Sequence, residues 1–257
     1  MSAQTHILFL GTGTSQGVPV ISCDCRICTS TDKRDKRLRT SALIHTGGQN
    51  FIIDTGPDFR QQMLTHKVDD VTAVLFTHEH KDHVAGLDDI RPYNFMHKRA
   101  ITVYAERRVQ DALKREFAYV FSENRYPGIP EIKMELIQNS AFSVQGVKVI
   151  PIRAYHYKLP VLGFRIDDIV YLTDIKTIPK EESEKIKGAK ILVINALRKE
   201  EHISHMNLEE ALSLIEFAKP ERAYLTHLSH RFGLHAEEES LLPENVFIAY
   251  DGLRINL

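Results

Sequence analysis

The sequence predicts an α/β fold in which mixed sheets carry helices on their outer sides. Apolar β-branched runs alternate with helical patterns along the 257 residues, and three of those runs end in nearly the same phrase. Hydrophobic residues make up 43% and charged residues 26%, an ordinary globular composition rather than a disordered or fibrous one. No Ser/Gly linker, low-complexity tract or short-period repeat divides the chain, so one domain is expected over residues 1–257.

In chain order the pattern reads strand His6–Leu10, strands Ser41–His45 and Asn50–Asp54, helix Pro57–Thr65, strand Val71–Phe76, helix Asp88–Met96, strand Ile101–Tyr104 and helix Arg107–Glu116. It continues with strands Lys148–Ile152, Leu162–Ile166 and Ile169–Leu172, helix Lys180–Ile186, strand Lys190–Ile194, helix Leu208–Phe217, strand Arg222–Leu225, helix Ala236–Leu241 and strand Val246–Ala249. The strands are short apolar runs rich in β-branched residues. The clearest helix start is Asn207, followed three residues later by Glu210, the spacing of a capping box. Phe117 to Pro130 mixes aromatics, Gly and Pro without periodicity and reads as a long loop. Arg125 and Tyr126 fall in it, and pocket cover, packing loop and dimer contact all stay open as its role.

Charge and cysteine usage narrow the function classes. Lys+Arg number 33 against 34 Asp+Glu, a formal charge of −1, and no long basic run marks a duplex-binding surface. No apolar run approaches the roughly 18 residues of a membrane span. Met1 to Leu10 lacks a basic n-region, so no secretory signal is read. The three cysteines are packed into Cys23-Asp24-Cys25-Arg26-Ile27-Cys28, too close together for a disulfide framework, which points to a reducing, cytoplasmic setting.

Thirteen histidines with no tryptophan make the histidine positions informative. Leu75-Phe76-Thr77 runs into His78, Tyr171-Leu172-Thr173 into Asp174, and Tyr224-Leu225-Thr226 into His227. Were these neighbouring strands of equal direction, their carboxyl ends would set two imidazoles and a carboxylate along one rim, where open α/β sheets keep their sites. The first rim carries His78, His80, Asp82 and His83, four candidate ligands within six positions. Imidazole mixed with carboxylate suits zinc, manganese or iron, and the donors are too many for one tetrahedral ion. The cysteine triplet supplies three thiolates where a closed structural zinc site takes four ligands. His230, three residues after His227, is the candidate fourth, so that one turn would serve both sites and pin a zinc loop at about 22–29.

His-x-His-x-Asp-His after a strand, with later His, Asp and His, resembles the metallo-β-lactamase superfamily. That resemblance implies a four-layer αββα sandwich with a metal site at one edge. Carried over residue by residue, His78, His80 and His156 would hold one metal, Asp82, His83 and His227 a second, and Asp174 would bridge them. Asp54, closing its strand before Thr55-Gly56, matches the motif whose carboxylate supports the ligands from behind. The run Gly11-Thr12-Gly13-Thr14-Ser15-Gln16-Gly17-Val18-Pro19 into the cysteine triplet, then Arg39-Thr40-Ser41, Asp54-Thr55-Gly56-Pro57-Asp58 and Asp251-Gly252, looks like the branch of the cyclic phosphodiesterases of the carbon–phosphorus lyase pathway, the PhnP-like branch. The glycine run lacks the third glycine and the helix of a dinucleotide loop and reads instead as a backbone turn beside the rim, with both a plain tight turn and one that lends N–H groups to a phosphate left open.

The resemblance implies two divalent metals (Zn or Mn, with Fe also suited), one structural Zn, and a small phosphodiester substrate hydrolysed by metal-activated water. The substrate expected is a cyclic ribosyl phosphate or a nucleotide-like diester. Asp82 is the candidate base and His205, just before a helix start, the candidate general acid, while His202 reads as a surface residue. The tRNA 3′-processing branch, tRNase Z, has the same metal set and late histidine. The span from Tyr157 to Thr173 is too short for the arm that reaches tRNA, which favours a small diester over nucleic acid, with a tRNA 3′ endonuclease lacking its own arm as the alternative. The related maturation factor PqqB shares the cysteine loop but has a degraded metal cluster. Here the cluster is complete, which favours an enzyme. Relatives of this branch are dimeric, and a homodimer is the expectation by analogy.

Overall fold

The computed structural model describes residues 4–123 and 126–257, so Arg125 of the aromatic loop lies outside the described residues. Its strands are β1 (His6–Gly11), β2 (Ser41–Thr46), β3 (Gln49–Ile53), β4 (Ala73–Leu75), β5 (Ile101–Ala105) and β6 (Ile132–Leu136). They continue with β7 (Phe142–Val144), β8 (Val147–His156), β9 (Leu159–Ile166), β10 (Ile169–Tyr171), β11 (Ile191–Asn195), β12 (Arg222–Thr226), β13 (Val246–Ile248) and β14 (Arg254–Asn256). One sheet has the order β14-β1-β2-β3-β4-β5-β6 and the other β13-β12-β11-β10-β9-β8-β7. Each sheet is antiparallel on one side and parallel on the other: β3 to β6 run parallel in the first, β10 to β13 in the second. Helices α1 (Phe59–His66), α2 (Lys81–Val84), α3 (Arg91–His97), α4 (Arg107–Glu116), α5 (Ala118–Phe121), α6 (Lys180–Ser183), α7 (Leu208–Ala218) and α8 (His235–Glu239) complete the chain.

Side-chain alternation explains the layering. Ile7 and Phe9 of β1, Phe51 and Ile53 of β3, and Ala73 and Leu75 of β4 meet Phe164, Tyr171, Ile191 and Val193 of the second sheet in one shared core. The intervening residues Leu10, Leu43, Ile52 and Val74 face the other way, onto Phe59 and Met63 of α1 and Val109 and Leu113 of α4. On the far side Leu192, Ile194 and Leu225 pack on Ala211, Ile215 and Ala218 of α7. Both faces of both sheets are therefore buried, which is why the strands read as continuous apolar runs. The product is the four-layer αββα sandwich. The capping box of α7 is present, Asn207 Oδ1 accepting from Glu210 N at 3.0 Å and Glu210 Oε2 from Asn207 N at 2.9 Å.

Several expectations need correction. The three strands with similar endings are not neighbours: β4 belongs to the first sheet, while β10 and β12 lie in the second with β11 between them. Strands β6, β7 and β14 went unpredicted because each is a short edge or near-edge strand with several exposed positions, so the apolar signal is weak. Residues 117–130 do not form one loop, since α5 supplies a helical turn whose Val120, with Phe117 before it, packs on the outside of the first sheet. The span foreseen as helix Asp88–Met96 is a 3₁₀ turn, Leu87–Ile90, followed by α3, with Pro92 in the first turn of the α-helix.

Phe164 is fully buried between the sheets. Phe164→Ala should cost about 3–5 kcal/mol of stability, read as a lower urea midpoint at an unchanged slope.

Candidate active site

The predicted residues converge where both sheets end. Asp54 follows β3, His78 lies just beyond β4, Asp174 just beyond β10 and His227 directly after β12. These are the carboxyl ends of the parallel halves, and the rim is shared because Leu162 N of β9 donates to Thr77 O across the sheets at 3.1 Å. His156 is the last residue of β8, Asp82 and His83 sit on the single turn α2, and His205 lies between β11 and α7. Asp54, Asp174 and His227 all have left-handed backbone, with φ of 60°, 56° and 57°. Such conformations cost non-glycine residues about 1–3 kcal/mol and cluster at functional sites. Gly56 meets the α2 turn so closely that a Cβ there would lie 2.1 Å from Asp82 O.

Asp174 divides its carboxylate between two groups. Oδ1 lies 3.1 Å from His227 Nε2 and 3.4 Å from His83 Nε2, whereas Oδ2 lies 3.3 Å from His205 Nε2 and 3.9 Å from His78 Nε2. Asp82 Oδ2 is 3.2 Å from His83 Nε2 on the first side. On the second side His78 Nε2 and His80 Nδ1 are 3.1 Å apart, and the His156 ring is centred 5.2 Å from that of His80. Asp82, His83, Asp174 and His227 bring one donor atom each to within 4.8 Å of one another, and so do His156, Asp174 and His205. Nε2 of both His83 and His227 is buried without a hydrogen bond although a carboxylate oxygen faces it. Two buried imidazole nitrogens facing carboxylate oxygens across a gap with no hydrogen bond leave room for a cation in place of a proton, so the donor set suits divalent metals.

The supporting bonds run through Asp54. Its Oδ1 accepts from Thr77 N at 2.9 Å, and its Oδ2 accepts from Thr77 Oγ1 and from His83 Nδ1, both at 2.7 Å. Thr77 Oγ1 in turn meets His78 Nδ1 at 2.9 Å. One carboxylate thus orients an imidazole on each side and leaves both Nε2 atoms facing inward. His156 Nδ1 is occupied by Ser204 O at 2.9 Å, again freeing Nε2. Two of the threonines that precede rim residues hold carboxylates: Thr77 Oγ1 donates to Asp54 Oδ2, and Thr173 Oγ1 donates to Asp174 Oδ1 at 2.7 Å. His202, expected as a surface residue, instead places Nδ1 3.2 Å from His205 Nδ1, with Ser204 Oγ within hydrogen-bond reach of both.

The cysteine loop brings its three thiols against His230. His230 Nδ1 lies 3.3 Å from Cys23 Sγ, 3.6 Å from Cys25 Sγ and 3.5 Å from Cys28 Sγ, and all four donors fit within 4.8 Å. The Cys28 N–H facing Cys25 draws that thiol down to about 6, toward the thiolate a metal needs. Burial pushes Cys28 up to about 11. The glycine run does not bear out the phosphate-binding alternative. Gly13 N donates to Leu38 O, Thr14 N to Leu228 O and Gly17 N to Thr14 O, so these N–H groups are already used inside the fold.

Charge at the rim is sharply sorted. Burial disfavours the charged forms of Asp82 and Asp174, yet neighbouring imidazoles outweigh it and hold both carboxyls well below the usual range. Burial and the surrounding imidazoles hold His78 well below its ordinary value, and burial brings His156 down to about 4. Against its own burial, His83 is raised well above the ordinary value by Asp174, Asp82 and Asp54. Ionised carboxylates beside largely neutral imidazoles are the protonation states that metal ligation requires.

Comparison with known proteins agrees with this geometry. The family model described as the beta-lactamase superfamily domain matches residues 49–228. A curated relative from Porphyromonas gingivalis named octanoyltransferase is 46% identical over 250 residues, covering 96% of this chain and 50% of the relative. The chain thus spans about half the length of that protein. A crystal structure described as a new diphosphatase from the PhnP family is 35% identical, covers 100% of this chain and 98% of its own, and superposes with a TM-score of 0.93. Zn²⁺-bound PqqB from Methylobacterium extorquens (19% identity, 98% and 100% coverage, TM-score 0.80) and the short form of human tRNase Z (19% identity, 98% of each chain, TM-score 0.71) share the fold.

The imidazoles held low set a pH dependence. His6, His66, His78, His156, His202, His205 and His235 all lie below the ordinary 6.5. Between 6.5 and each group's lower folded value, about 4 for His156, the unfolded chain binds more protons than the folded chain, so stability rises with pH. His83 is protonated in both states across this window and adds no slope. Burial raises the carboxyls of Asp54, Asp89 and Asp251, the last to about 6, and these oppose the trend but are outnumbered. The urea midpoint of the metal-free protein should fall as pH is lowered from 6.5 to 4.

Proposed function

Because this chain belongs to the β-lactamase superfamily, its superfamily domain covering residues 49–228, we propose that it is a two-metal hydrolase acting on small cyclic phosphodiesters. The observation that carries this reading is the divided carboxylate of Asp174, one oxygen toward His227 and His83 and the other toward His205 and His78. His78, His80 and His156 would hold one divalent ion, Asp82, His83 and His227 the second, with Asp174 between them. Cys23, Cys25, Cys28 and His230 would hold a structural zinc. Bound as a pair, Zn²⁺ or Mn²⁺ (the same donors suit Fe²⁺) would acidify a water and neutralise charge on the phosphoryl oxygens.

The remaining chemistry belongs to the chain itself. Asp82, ionised beside His83, orients the attacking water and takes its proton. His205, protonated from solvent in the complex with the anionic ester, delivers that proton from Nε2 to the leaving oxygen and returns to the neutral imidazole, its ring steered by Asp174 on one side and by Ser204 and His202 on the other. A diphosphate bridge, P–O–P, presents the same disubstituted phosphorus, and the 35% identical PhnP-family diphosphatase favours it as a second reading.

The test is a turnover panel under defined metals. It comprises bis-aryl phosphate, ribosyl 1,2-cyclic phosphate, nucleoside 2′,3′-cyclic phosphates, a diphosphate-linked dinucleotide, precursor tRNA and an octanoyl thioester. Cleavage of the cyclic esters without precursor tRNA supports the reading, and cleavage of the tRNA would replace it with 3′ processing. Tight ligand binding without turnover, in stripped and reloaded samples alike, would make the chain a PqqB-like binding factor.

Two variants probe the roles. His205→Ala should keep both metals by elemental analysis yet lose about 10²–10⁴-fold in turnover on alkyl leaving groups, with a smaller loss on nitrophenyl esters. Asp54→Asn, which retains shape but not charge, should weaken metal affinity about 10–100-fold in competition with a chromophoric chelator.

A further inference from the structure

The β8–β9 hairpin closes over the rim with a two-residue turn, Tyr157-Lys158, between the paired residues His156 and Leu159. Tyr157 adopts φ 55°, a conformation that hairpin turns normally give to Gly, Asn or Asp. The neighbouring hairpins of the same sheet place smaller or unringed side chains at the equivalent position, Gln145 (φ 50°) before Gly146 between β7 and β8 and Asp167 (φ 52°) before Asp168 between β9 and β10. Among the described residues, the other non-glycine positions with left-handed backbone carry serine, aspartate, lysine, glutamine or histidine. A tyrosine held in this conformation is strained, and strain of this kind marks function when nothing in the packing requires the side chain. Packing does not require this one: Tyr157 is 52% exposed, and among the described residues its hydroxyl has no hydrogen-bond partner.

The turn lines an open cleft of about 470 Å³ together with His80, His156, Leu159 and Ser204. That volume lies within the range of small-molecule sites. No acidic residue lines it, and Lys158 has no carboxylate partner among the described residues. Lys158 Nζ stands 5.4 Å from the centre of the Tyr157 ring. A half-exposed aromatic ring with an ammonium over one face and its other face left for a ligand, in a cleft that His80 and His156 also line, suits a planar base attached to an anionic phosphate.

We propose that Tyr157 and Lys158 are specificity-determining residues. Tyr157 stacks the base of a nucleotide-type substrate and Lys158 takes charge on its phosphate. This deepens the phosphodiesterase reading by naming a nucleobase-bearing substrate class, and its mechanism rests on that reading.

The test uses the metal-loaded chain. Titration calorimetry compares adenosine 5′-monophosphate with ribose 5-phosphate, and kinetics compare a nucleoside 2′,3′-cyclic phosphate with ribosyl 1,2-cyclic phosphate. The unmodified chain should bind the nucleotide at least about tenfold more tightly than the sugar phosphate, in line with the usual strength of base–aromatic stacking. Tyr157→Ala should erase most of that ratio, appearing in KM more than in kcat, while Tyr157→Phe should preserve it. Lys158→Ala should weaken both anions. Absence of any base preference, or equal loss of it in Tyr157→Ala and Tyr157→Phe, would overturn the proposal. A base preference without hydrolysis of any phosphate would uphold the binding role and reject the catalytic reading.

Discussion

The buried carboxylate of Asp54 is the constraint on which the site depends. It is fully enclosed, and its oxygens accept from Thr77 N, Thr77 Oγ1 and His83 Nδ1. Burial alone would favour its neutral form, and in the protein it does raise the group. What keeps the arrangement tolerable is that every donor around it is fixed by backbone: Thr77 by the end of β4, His83 by the α2 turn whose carbonyl bonds Thr55 N. Removing any of these would leave a buried polar group unpaired, so the strand end, the turn and the carboxylate form one unit.

That unit explains why two sheets rather than one build the rim. A single parallel sheet offers only as many strand ends as lie side by side. Stacking two sheets brings the end of β4 opposite those of β10 and β12, so imidazoles approach Asp174 from both layers. Asp174 falls between the layers, where buried surroundings strengthen every charge interaction. The sandwich therefore creates the site through its junction.

Much of this was legible in the residues. The strand-then-Thr phrase placed His78, Asp174 and His227 at strand ends, and the density of donor residues from His78 to His83 marked the turn that meets them. The three-residue step from His227 to His230 foretold the shared turn. Sheet membership was not legible, because a strand buried on both faces looks alike in either layer. The contact of His202 with His205 was hidden for another reason: it depends on how an irregular segment folds back, which no period encodes. The polar exposure of β6, β7 and β14 concealed them, since edge strands lack a continuous apolar run.

The turn from His227 to His230 has a wider meaning. Leu228 within it exchanges backbone hydrogen bonds with Thr12 and Thr14, so the entrance segment, the thiol cluster and the catalytic rim share one short stretch of main chain. A constraint placed on His230 therefore reaches His227 through two intervening residues, and any coupling between the two clusters would be equal in both directions.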